Sequence, residues 1–78
     1  MSDDVSIIFS RHALMKLDQR NLTKEMVIKV IQRPARLMVV GDKMHAFGRL
    51  QKLYLKVIFT RTKNSIIIIT QHIVKKLP

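Results

Sequence analysis

Three histidines, His12, His45 and His72, are spread along a chain that has no cysteine. Imidazole changes charge close to neutral pH, so a histidine is the side chain suited to general-base work. His72 is the best placed. It ends the run Ile66-Ile67-Ile68-Ile69-Thr70-Gln71-His72, while Lys56 lies in the middle of Tyr54-Leu55-Lys56-Val57-Ile58-Phe59-Thr60. Cleavage of RNA by its own 2′-hydroxyl needs a base, an acid and positive charge on the phosphorane oxygens. His72 suits the role of the base. Lys56, with Arg49 or Arg61, suits the cationic one, because a cation aimed at growing negative charge favours the transition state. Phe47 or Tyr54 offers a ring for an unpaired base.

Other chemistries lack their residues. No histidine or cysteine cluster has zinc spacing, and no glycine-rich phosphate loop occurs. No acid follows Asp42, which removes an ordinary serine–histidine–acid arrangement, and no carboxylate pair is set up for glycoside hydrolysis. Neither a metal nor a cofactor is expected. Each histidine also fits a plain structural role. His12 opens a helix, where the positive end of the dipole disfavours its charged form, so it reads as a capping or packing residue.

The elements that must position His72 and Lys56 are two β-prone runs around the polar turn Arg61-Thr62-Lys63-Asn64-Ser65. Isoleucine, valine, phenylalanine and threonine suit a pleated, half-buried strand. The four consecutive isoleucines predict an interior strand covered on both faces. Alternation puts Leu55, Val57, Phe59 and Arg61 on one face, the better core, and Tyr54, Lys56, Ile58 and Thr60 on the other. In the last run, Ile66, Ile68, Thr70 and His72 are expected to share a face. The functional reading requires that face to be the one bearing Lys56.

Charge points to the partner. The formal charge is +10, and the five acids, Asp3, Asp4, Asp18, Glu25 and Asp42, all precede the acid-free stretch from Lys43 to Pro78. A one-sign field opposes folding by self-repulsion, so a polyanion is the natural complement, nucleic acid before an acidic protein. Seventy-eight residues predict one domain over 1–78. No stretch has signal-peptide order or the length of a membrane span, and a cysteine-free chain fits a cytoplasmic setting.

Read in order, Val5–Phe9 is a short strand. Ser10 caps a helix to about Arg20, with Ala13, Leu14 and Leu17 as its apolar stripe. His12, Lys16 and Arg20 make a basic ridge on it. Thr23 caps a second helix that Pro34 ends, with Val27, Val30 and Ile31 inward. Arg36–Val40, the turn Gly41-Asp42 and Lys43–Arg49 form a hairpin. Lys43, His45, Phe47 and Arg49 share one face. Met44, Ala46 and Gly48 share the other, where small residues let a helix approach.

This order, with Phe9-Ser10-Arg11-His12-Ala13, Arg20, Leu22-Thr23, Val27 and Arg33-Pro34, resembles the RelE/ParE-like toxin superfamily, and most of all its small uncharacterised RelE-related domains. Tyr54–Phe59 followed by Ile66–His72 is similar to the final hairpin of the RelE/YoeB-type ribonucleases. The resemblance implies a toxin-like endoribonuclease of a toxin–antitoxin module, cutting mRNA at the ribosome. It implies His72 and Lys56 in catalysis with Arg61, phosphate binding by Arg49 or Arg61, and an acidic antitoxin as partner. Lys43, His45, Phe47, Tyr54, His12 and Arg20 complete the expected RNA contacts. The chain departs from those nucleases in having Ile73, not tyrosine, after the histidine. The alternative is a non-catalytic nucleic-acid- or protein-binding module on the same fold, including a ParE-like toxin aimed at a protein. The expected fold is α+β, a two-helix hairpin on one face of a mainly antiparallel twisted sheet in the order β-α-α-β-β-β-β.

Overall fold

The computed structural model describes residues 5–78. Its elements are β1 (Ser6–Phe9), α1 (Arg11–Gln19), α2 (Lys24–Gln32), β2 (Arg36–Val40), β3 (Lys43–Leu50), β4 (Leu53–Arg61) and β5 (Ser65–Val74). The fold is α+β in the expected order, with the strands in one sheet arranged β1-β5-β4-β3-β2. The pairs β2–β3, β3–β4 and β4–β5 are antiparallel, and β1 joins the edge of β5 in parallel. Such a parallel pair needs a crossover, and the two helices and the meander supply it. No helix among the described residues is long and apolar enough to cross a membrane.

Both helices lie on one face of the sheet. The Ser10 hydroxyl accepts from the Ala13 amide at 3.0 Å, and the Thr23 hydroxyl accepts from Met26 at 3.2 Å, which satisfies first-turn donors that the helix itself leaves free. Ala13, Leu17, Val27 and Val30 are buried against Ala46, Leu55, Val57, Phe59 and Ile68. Leu14 departs from the expected stripe and is 42% exposed. Gly48 is where α2 comes closest, since a Cβ there would stand 2.5 Å from Val30 Cγ2. The β2–β3 turn is at Gly41-Asp42, with Gly41 at φ +66° as a tight reversal requires.

One expectation is overturned. Ile66 and Ile68 do not share a face with Thr70 and His72. The ladder runs Lys56–His72, Val57–Gln71 and Ile58–Thr70, then skips to Phe59–Ile68, leaving Ile69 as the extra residue of a β-bulge. Strict alternation holds only while the register is unbroken. Because of the bulge, Ile68 is fully buried under the helices and His72 lies on the opposite, helix-free face. Ser10 holds the bulge in place. Its hydroxyl donates to the Ile69 carbonyl at 2.9 Å and its amide donates to the Ile68 carbonyl at 2.9 Å.

Candidate functional site

The helix-free face is built by alternation in β3 and β4 and by the bulge in β5. Directly paired residues on adjacent strands share a face, so His72, Lys56, Phe47 and Arg36 form one row across β5, β4, β3 and β2. Lys56 and His72 are direct cross-strand partners, a relation that sets Cβ atoms about 5 Å apart. His45 belongs to the next row, opposite Ile58, and is a diagonal neighbour of Lys56. The third row is Arg49, Tyr54 and Val74. All of β3, β4 and β5 is free of carboxylates, while Asp18 and Glu25 sit on the helices and Asp42 in the β2–β3 turn.

Electrostatics follows from this crowding. Burial, and after it the charges of Lys56, Arg20 and His45, lowers the His72 pKa below its ordinary 6.5. His45 is also lowered, by burial first and then by Lys56. Both imidazoles are therefore held neutral at neutral pH, the form that accepts a proton. Among the described residues, no three potential metal ligands converge.

The expected contacts are sorted by this geometry. Lys56, His72, His45, Phe47, Arg49, Tyr54 and Lys43 lie on the helix-free face. Arg20, the C-cap of α1, is near enough for its charge to act on His72. Arg61 is not brought to the pair. It alternates with Val57 and Phe59 toward the helix side, and it is five residues along β4 from Lys56, about 17 Å at strand rise. His12 is exposed on α1, in the layer behind the sheet. Lys43 is at the far end of β3 and pairs with Asp42 at 3.2 Å.

Comparison with protein-family models, with curated proteins and with solved structures gave no match.

Phe47 also corrects an expectation. It is not an open platform for a base, being only 4% exposed, and the Lys56 ammonium lies 5.7 Å from its ring centroid. Tyr54 is partly open, but the Arg49 guanidinium covers its ring at 5.5 Å, with Arg49 Nε donating to the Gln51 carbonyl at 2.8 Å. Sequence reading gave His45 only an RNA contact. Its place diagonal to Lys56 brings a second imidazole beside the pair. The signal was available, since His45 alternates with Phe47 and Arg49, but it became legible only once β3 was paired with β4.

Proposed function

We propose that this chain is a toxin-like endoribonuclease that cleaves RNA, mRNA at the ribosome in particular, by 2′-hydroxyl attack. The observation that supports the reading is the direct pairing of Lys56 with His72, with His45 on the diagonal, on a face without carboxylates. In this mechanism neutral His72 takes the proton of the 2′-hydroxyl as its oxygen bonds to phosphorus. Lys56 stabilises the extra negative charge of the phosphorane. The bond to the 5′-oxygen breaks and that oxygen receives a proton from the imidazolium form of His45, the minor form at neutral pH. The products are a 2′,3′-cyclic phosphate and a free 5′-hydroxyl. An acidic antitoxin covering the basic face, and a cytoplasmic location, belong to the same proposal.

The test uses purified protein with RNA alone and with translating ribosomes. Cleavage with a cyclic-phosphate end is expected, reduced about 100-fold or more in His72→Ala, the scale on which a general base contributes. No cleavage in either setting, or full cleavage by His72→Ala, rejects it. The basic face also supports a second reading, a binding module without chemistry. That reading predicts RNA binding that falls steeply with salt, no product, and no dependence on His72.

A further inference from the structure

The segment after β5 does not leave the sheet. Arg36 Nη1 donates to the Pro78 carbonyl at 3.0 Å. Arg36 is on β2, separated from β5 by β4 and β3, which is about 14 Å of sheet at ordinary strand spacing. Because Arg36 is paired with Phe47, its side chain is on the helix-free face. Residues 75–78 therefore cross that face, over the strands that carry Lys56 and Phe47.

Three further features agree. Leu77 is half-buried between exposed Lys76 and Pro78. Phe47 is almost fully buried although it is outside the cluster beneath the helices. The Lys56 ammonium rests over the Phe47 ring, turned toward an aromatic face rather than a carboxylate. A cation so placed is free to exchange the ring for a phosphate.

We infer that residues 75–78 are a latch held by Arg36, and that opening it uncovers Phe47 as a stacking surface for an unpaired nucleobase beside Lys56 and His72. The fastening is weak: one exposed hydrogen bond and one half-buried leucine. A ligand that gains a stacked base in the open form shifts the population toward it. The ligand half of this inference rests on the nucleic-acid reading of the face. The latch itself does not.

The decisive variant is Leu77→Ser with Pro78→Gly, which loosens the segment and keeps every charge. Two measurements are made on it and on the native chain. One is the exposure of the Phe47 ring, from line broadening by a neutral soluble gadolinium chelate in NMR spectra that also report whether the sheet is intact. The other is affinity for a short fluorescent single-stranded RNA at fixed salt. The expected result is a newly exposed ring and RNA binding tighter by about fivefold or more, the factor contributed by one stacked base. Adding Phe47→Leu should abolish the gain. A ring as protected as in the native chain overturns the latch. An exposed ring with unchanged or weaker RNA binding overturns the stacking role. If the ring is exposed and no form binds RNA, the latch is upheld and nucleic acid is excluded as its ligand.

Discussion

Ile68 and His72 are four residues apart on one strand and yet lie on opposite faces of the sheet. In an unbroken strand they would share a face. The extra residue, Ile69, lets β5 place one in the core and the other among the cations of the helix-free face. Deleting Ile69 should force a choice between exposing Ile68 and burying His72. Loss of a fully buried isoleucine costs about 2–5 kcal/mol, a large part of the stability of a chain this small. Urea unfolding should show the deletion as severely destabilised or unfolded, with Ile69→Val close to native.

Ser10 ties that bulge to the first helix. Its hydroxyl accepts from Ala13 and donates to Ile69. Ser10→Ala should cost about 1–2 kcal/mol, the range of a lost helix cap, and should increase amide exchange around residues 68–70 as well as in α1. Faster exchange in α1 alone would show that the hydroxyl acts only as a cap.

The lowered pKa values of His72 and His45 set a pH dependence with a definite sign. In the unfolded chain these imidazoles gain protons near pH 6.5, but in the fold they do so only at lower pH. Between those values the unfolded state binds more protons, so stability falls as pH drops below about 6.5. It should be flat above that point. His72→Gln should reduce the slope measured by urea unfolding. Lys56→Met should raise the NMR titration midpoint of His72 only in part, since burial is the larger cause.

Gly48 is set by contact with Val30. Gly48→Ala should destabilise by about 1–3 kcal/mol through overpacking, because its new Cβ would meet Val30 Cγ2 at 2.5 Å. Val30→Ala in the same chain should recover part of the loss, so the two changes should be non-additive in thermal unfolding. Strict additivity would place the cost in the backbone instead.

Among the described residues, Gln71 is the only buried polar one. Nε2 donates to the Ala13 carbonyl at 2.8 Å, and Oε1 has no partner. An unpaired buried acceptor costs about 1–3 kcal/mol. Gln71→Leu should therefore be neutral or stabilising, while Gln71→Ala should be clearly destabilising by leaving a void. Chemical denaturation of the two variants separates these outcomes.

Local chemistry made much of this protein legible in its residues. Ser10 and Thr23 mark helix starts, Pro34 marks an end, and Gly41 supplies the positive φ of a turn, all through bonds within a few positions. The alternation of Lys43–Arg49 and of Tyr54–Thr60 assigned their faces, because neither strand contains a bulge. The row joining His72, Lys56 and Phe47 needed pairing between strands, and that depends on the whole fold. Residues between 42 and 59 positions apart decided the rest. Ser10 bonds Ile69, β1 lies parallel to β5, and Arg36 reaches Pro78. Such contacts leave no periodic trace in a sequence. They determined that β5 changes face partway and that Phe47 is covered.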